Sequence, residues 1–128
     1  MTYSIDRVLT DVTLDQAETR TRAALATHGF GVLTEIDVQA TMKAKISKDM
    51  PGYRILGACN PGMAYQAIQL EPKVGAMLPC NVILRETPDG VEISAIDPQA
   101  SMASIENAKL QDVAGQVRDI LKAVVADI

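Results

Sequence analysis

The stretch Tyr53–Glu86, YRILGACNPGMAYQAIQLEPKVGAMLPCNVILRE, decides the fold prediction for this chain. Two strand-like runs, Tyr53–Cys59 and Cys80–Glu86, flank a short segment, Gly62–Leu70, that has helical spacing. Alternation in the second run places Cys80, Val82 and Leu84 on one face of a strand. The stretch therefore predicts two strands joined through a short helix.

Both cysteines of the chain, Cys59 and Cys80, lie at the strand ends nearest to this helix. Asn60 can cap the helix, and Pro61 suits the first helical position because its missing N–H would have no partner there. Pro79 marks the start of the second strand. If the two strands are antiparallel neighbours, the end of one lies beside the start of the other, and the two thiols approach each other.

Toward the N-terminus, strand and helix patterns alternate. A capping box at Thr13 and Gln16 begins a helix that ends at Gly29, which suits a left-handed C-terminal position. Asp37 can cap a second helix, whose apolar positions are Val38, Met42 and Ile46. The strands predicted in this half are Tyr3–Leu9 and Phe30–Ile36.

Toward the C-terminus, the tetrapeptide 87–90 (TPDG) is the strongest hairpin signal and joins Cys80–Glu86 to Val91–Ile96. Lys73–Leu78 reads as a tight or helical turn that buries Val74, Met77 and Leu78. After Asp97-Pro98 we expect a short helix at Gln99–Ser104. A long helix follows from Asn107, with an apolar stripe wide enough to cover a sheet; its members are Leu110, Val113, Val117, Ile120, Leu121, Val124 and Val125.

These elements predict an α+β two-layer sandwich: a mostly antiparallel sheet of about five strands, covered by helices that include a long C-terminal one. With 128 residues, of which 48% are hydrophobic, the chain is long enough for a globular fold without disulfides. We expect residues 1–128 to form a single domain.

Charge and composition disfavour several classes of function. The chain has 16 acidic and 12 basic residues, no Trp and one Phe, whereas nucleic-acid binding needs a cationic surface and often stacking aromatics. No apolar run approaches the roughly 18 residues of a membrane span, and the N-terminal residues do not resemble a signal peptide. We therefore expect a cytoplasmic protein that binds neither nucleic acid nor membranes, with reduced thiols.

Three motifs resemble those of the DUF302 family, a domain of unknown function. They are Gly57-Ala58-Cys59-Asn60-Pro61, Leu78-Pro79-Cys80-Asn81-Val82 and Asp97-Pro98, and the upstream runs at 35–38 and 41–46 are also similar. The resemblance covers nearly the whole chain. It implies a TATA-binding-protein-like α+β fold and a homodimer, and it implies no accepted reaction.

The candidate ligand-binding residues are Cys59, Asn60, Cys80 and Glu35, where we expect the two cysteine-containing junctions to converge on a pocket. Each has a simpler interpretation: buried free cysteines behave as small hydrophobes, Asn60 caps a helix, and Glu35 lies at a solvated strand end. The methionines are most simply core residues; they include Met42, Met63, Met77 and Met102.

The sequence is compatible with three functions. The leading one is a non-enzymatic homodimer that binds a small ligand near Cys59, Asn60, Pro79 and Cys80. The second is a thiol-based redox or sulfur-transfer protein, with Cys59 reactive and Cys80 its partner. The third is a structural or interaction module. We identify no catalytic residues, no motif for a particular cofactor, and too few cysteines for a four-thiolate zinc site.

Overall fold

The structure is a computed structural model that describes residues 2–128. It contains one five-stranded sheet, five α-helices and a 3₁₀ helix. The strands are β1 (Ser4–Leu9), β2 (Gly31–Asp37), β3 (Tyr53–Cys59), β4 (Cys80–Thr87) and β5 (Gly90–Ile96). The helices are α1 (Leu14–Thr27), α2 (Val38–Ile46), α3 (Pro61–Leu70), the 3₁₀ helix Pro72–Met77, α4 (Pro98–Ser101) and α5 (Ala108–Asp127).

All neighbouring strands are antiparallel, in the order β1-β5-β4-β3-β2. The predicted α+β sandwich is confirmed. The expected hairpin joins β4 to β5, with Thr87 opposite Gly90. Strands β3 and β4 are direct neighbours, which is the arrangement that would bring the Cys59 and Cys80 thiols toward each other.

The helix-capping residues predicted from the sequence occupy capping positions in the structure. The Thr13 hydroxyl accepts a hydrogen bond from the Gln16 amide, and the Gln16 side chain accepts one from the Thr13 amide. Gly29 follows α1 with a φ of 81°, a left-handed conformation that costs glycine little. Asp37 caps α2 through the Ala40 amide.

One face of the sheet is covered by helices and forms the core. Leu56, Leu84 and Ile93 lie on neighbouring strands of this face and are fully buried. Helix α5 packs across β1 and β5, and α1 packs beside it over β2 and β4. The predicted apolar stripe of α5 faces this core: six of its seven members are buried, and Ile120 packs at its edge.

Two sequence-based expectations were wrong in detail. Met77 is 41% exposed rather than buried, because the 3₁₀ helix turns only Val74 into the core. The helix after Asp97 begins at Pro98 and ends at Ser101, shorter than expected.

Candidate functional site

A cavity of about 360 Å³ lies where the end of β3 meets the start of β4, and α3 and α5 form its other walls. Met63 and Ala67 line it from α3, and Val113 and Val117 line it from α5. Cys59, Asn60, Pro79 and Cys80 line the end of the sheet. None of the lining residues within 2–128 is charged. Its walls are suited to an apolar guest.

The structure brings the two cysteines to the same wall of this cavity. Cys80 pairs across the β3–β4 ladder with Ala58, the residue before Cys59. Burial, and to a lesser extent the neighbouring Cys59 thiol, raise the pKa of Cys80 from 9.0 to about 11. Cys59 is half-buried, whereas Cys80 is buried. Cys80 therefore stays protonated at neutral pH, and Cys59 is the more accessible thiol.

Asn60 both caps a helix and lines the cavity. Its side-chain Oδ1 accepts a hydrogen bond from the Met63 amide at 3.2 Å, which begins α3. Its Nδ2 donates no hydrogen bond to any described residue, and it is not buried away from solvent. The capping interpretation is correct, and Nδ2 lies 3.4 Å from the position that a Cβ would take at Gly29.

Glu35 lies away from the cavity and does not line it. A bulge between Val32 and Thr34 shifts the register of β2, so Glu35 lies opposite Leu56 and points toward α1. There its carboxylate accepts a hydrogen bond from Arg22 at 3.0 Å. The structure therefore groups Cys59, Asn60 and Cys80 and separates Glu35 from them.

Gly57 determines how closely the two junctions approach. A side chain at this position would lie 2.7 Å from the Pro79 ring and would overlap the Thr34 hydroxyl. The absence of a Cβ allows the Pro79 ring and Thr34 to pack directly on the β3 backbone, and Pro79 is itself part of the cavity wall. The Leu78–Pro79 peptide bond is cis.

Several lining residues were absent from the sequence-based site. Phe30 and Leu33 contribute from β2 and the residue before it, and Pro98 and Met102 from α4 and its C-terminal end. In the sequence these residues read as strand, cap or core positions. The Asp97-Pro98 motif was the available signal, since it belonged to the same resemblance as the cysteine junctions.

Two further properties of the described residues are relevant. Residues 2–128 contain no group of three or more His, Cys, Asp or Glu side chains arranged to hold a metal ion. In the same range, no helix combines the length and apolarity that crossing a membrane requires.

The fold and the cavity together define an α+β two-layer protein with an apolar site at one end of an antiparallel sheet. Residues 6–128 match the family described as "Domain of unknown function DUF302", so the chain belongs to that family. The crystal structure of an uncharacterized conserved DUF302 protein from Bacillus stearothermophilus is similar, with a TM-score of 0.93 and 20% identity over 99% of this chain and 98% of that one. No curated protein matches the chain.

Proposed function

We propose that residues 1–128 form a single small-ligand-binding domain, active as a homodimer in the cytoplasm, whose site is the cavity beside Cys59, Asn60, Pro79 and Cys80. The observation that carries the proposal is the cavity itself, about 360 Å³ and lined by uncharged residues. Ligand pockets typically have volumes of about 300–1,000 Å³ and mostly apolar walls with few polar groups. The two free cysteines favour a reducing compartment.

The surroundings of the cavity support this role. Leu33 and Ile68 line it and are 68% and 41% exposed, so apolar side chains continue from its wall to the surface. Contiguous exposed apolar surface in soluble proteins is often functional. A guest molecule in the cavity would cover this surface and gain the free energy of apolar burial.

Native mass spectrometry of freshly purified protein and titration with the neutral fluorophore N-phenyl-1-naphthylamine test the proposal. We expect a retained non-covalent mass, saturable fluorophore binding, or both. Ala64→Phe introduces a ring at a lining position and should abolish binding; Gln66→Phe, on the same helix but outside the cavity, should not. Bare protein that binds no fluorophore would leave the structural-module interpretation as the better account.

The uncovered face of the sheet supports the homodimer. Ile55, Ile83 and Ile96 occupy this face and are partly exposed, and Ile36 beside Ile55 is 46% exposed. Arg85 and Glu92, paired at 2.7 Å on the same face, supply both signs of charge. A symmetric dimer places one patch against its own copy, so it suits a surface that carries an apolar centre and both charges.

Light scattering after size-exclusion chromatography tests the dimer. Ile83→Glu places a charge at the centre of this face and should yield monomers. Tyr65→Glu changes a residue that is 66% exposed on α3, away from the sheet, and should leave the dimer intact. A wild-type monomer at micromolar concentration would contradict the proposed assembly.

A thiol-based function is the second candidate, and the adjacency of Cys59 and Cys80 favours it. With hydrogen peroxide as oxidant, the Cys59 thiolate would attack one oxygen, giving a sulfenic acid and, with a proton, one water. The Cys80 thiol would then displace the second oxygen as water and form a disulfide. In total, two thiols lose two electrons and two protons to one peroxide.

Mass spectrometry after peroxide treatment distinguishes this candidate. A loss of two mass units, reversed by dithiothreitol and absent in Cys59→Ser and in Cys80→Ser, is the expected result. Thiols that remain unmodified until the protein unfolds would exclude it. Cavity binding does not depend on this outcome, so the two functions are tested separately.

A further inference from the structure

Sulfur-bearing side chains are concentrated on the wall of the cavity. Within residues 2–128, Cys59 and Cys80 line it from the sheet, Met63 lines it from α3, and Met102 lines it from the C-terminal cap of α4. We propose that these two thiols and two thioethers form a binding site for a soft monovalent metal ion, Cu(I). The inference goes beyond the proposed small-ligand function and has a readout of its own.

The two thiols and the Met63 thioether come from neighbouring positions of the fold. Cys80 begins β4, and its ladder partner Ala58 directly precedes Cys59. Burial and, to a lesser extent, the charge of Cys59 raise the pKa of Cys80, and this coupling requires the two sulfurs to lie near each other. Asn60 follows Cys59 and accepts a hydrogen bond from the Met63 amide at 3.2 Å, which holds Met63 in the first turn of α3.

Met102 reaches the cavity because α4 follows β5 directly. Ala95 of β5 pairs with Val82, two residues after Cys80, and the chain then turns into α4. Met102 caps the end of α4, is 4% exposed and packs in the core. Methionine side chains are unbranched, flexible and polarizable, so the thioethers of Met63 and Met102 can adjust to an ion.

The donor set selects the metal. Thiolate and thioether sulfurs are soft ligands that favour Cu(I), whereas Mg²⁺ and Ca²⁺ require oxygen ligands, and no carboxylate within residues 2–128 lines the cavity. Structural zinc sites and iron–sulfur clusters ordinarily use four cysteine or histidine ligands, and the chain has two cysteines and one histidine. Among the common biological metals, Cu(I) is therefore the one that this set suits.

The charge of a bound Cu(I) ion is compatible with the uncharged wall. When the ion binds a cysteine, the S–H bond breaks, an S–Cu bond forms and the proton passes to solvent, while copper and sulfur keep their oxidation states. One thiolate neutralises the single positive charge, so the apolar cavity receives no net charge. The thioethers add ligands without adding charge.

Anaerobic titration of the reduced protein with tetrakis(acetonitrile)copper(I), in competition with the chelator bathocuproine disulfonate, tests the site. We expect a single Cu(I) ion per chain. Cys59→Ser and Cys80→Ser should each weaken binding by more than about a hundredfold, since the loss of even an outer-shell partner costs about ten- to a hundredfold. Met63→Leu and Met102→Leu each remove a thioether at nearly constant volume and should weaken binding by about tenfold.

Met77→Leu is the matched control, because Met77 is 41% exposed and does not line the cavity. It makes the same chemical change outside the site and should leave the affinity for Cu(I) unaltered. Melting temperatures of the metal-free variants verify that the methionine substitutions leave the fold intact, so a weaker affinity reports the lost sulfur.

Distinct results separate this inference from the proposed function. A wild-type protein that leaves all Cu(I) with the chelator but binds N-phenyl-1-naphthylamine would refute the metal site and leave the small-ligand function supported. Unchanged affinity in both Met63→Leu and Met102→Leu would refute the thiolate–thioether site. Cu(I) binding with the expected losses, in a protein that binds no fluorophore, would support the metal site and overturn the small-ligand function.

Discussion

Cys80 lies opposite Ala58, the residue before Cys59, across the β3–β4 ladder, and the two thiols have different environments. Burial, with a smaller contribution from Cys59, raises the pKa of Cys80 to about 11. The folded protein therefore holds Cys80 as a neutral thiol, and Cys59 is the residue that solvent and reagents reach first.

This pKa predicts a pH-dependent loss of stability. Between pH 9.0 and about 11 the unfolded chain ionises Cys80 while the folded chain retains its proton, so the free energy of unfolding falls as pH rises. The contribution is about 2–3 kcal/mol over this range. Urea unfolding from pH 8 to 11 should give a steeper decline for wild type than for Cys80→Ala.

Cys59→Ala serves as the control for that measurement. It removes the smaller cause of the pKa shift and leaves the burial of Cys80, so most of the pH dependence should remain. Wild type and Cys80→Ala curves that stay parallel up to pH 11 would contradict the assignment.

A second prediction concerns Gly57, where an added methyl group meets the Pro79 ring and the Thr34 hydroxyl. Because the Pro79 ring is fixed to the backbone, Gly57→Ala should lower the free energy of unfolding by about 1–3 kcal/mol, as overpacking does. It should also weaken probe binding, since Pro79 lines the cavity.

Gly75→Ala is the matched control, because no atom lies within 4 Å of a Cβ built at Gly75. Its free energy of unfolding should stay within about 0.5 kcal/mol of wild type or rise slightly. Equal effects of the two substitutions in urea unfolding would show that the packing of Pro79 on Gly57 is unimportant.

A third prediction concerns Arg54, which connects the sheet to α1. It contacts Asp15 at 2.8 Å and Glu18 at 3.0 Å. Burial alone would lower the pKa of Arg54, but hydrogen bonds and charge attraction from Asp15 and Glu18 outweigh it and raise the pKa. Arg54→Met leaves the largely buried Glu18 with less charge compensation and should lower the free energy of unfolding by about 1–3 kcal/mol.

Lys43→Met is the comparison for Arg54→Met, since Lys43 pairs with Asp49 at 2.9 Å but both side chains are largely exposed. Such surface pairs contribute about 0–1 kcal/mol, so chemical denaturation should detect little change. Equal destabilisation by Lys43→Met and Arg54→Met would show that partial burial does not strengthen the ion pairs of Arg54.

Much of the fold was accessible from the sequence because its signals are local. The Thr13–Gln16 capping box, the Asn60-Pro61 helix start and the hairpin ending at Gly90 each depend on neighbouring residues, and each occurs where it was predicted. The antiparallel pairing of β3 with β4 and of β4 with β5 was predicted from the short connections between these strands.

The sequence was less informative about features that depend on tertiary packing. Helix α2 contacts β3 but buries none of its residues, and Ile46 is 59% exposed, so the apolar spacing of Val38, Met42 and Ile46 does not show how deeply the helix packs. Glu35 was placed near the site by its position in β2, and a bulge re-aimed it toward Arg22. No feature of a single sequence locates either effect.

The thin wall that α3 forms has a consequence for how molecules reach the cavity. Helix α3 buries only Ala67 among its described residues, whereas α5 buries seven residues. Segments with little buried surface open locally at lower free energy than the core. Amide hydrogens in α3 should therefore exchange with deuterium well before those in the middle of α5. We expect a ligand of the proposed site to enter through a transient opening of α3 while the sheet remains closed.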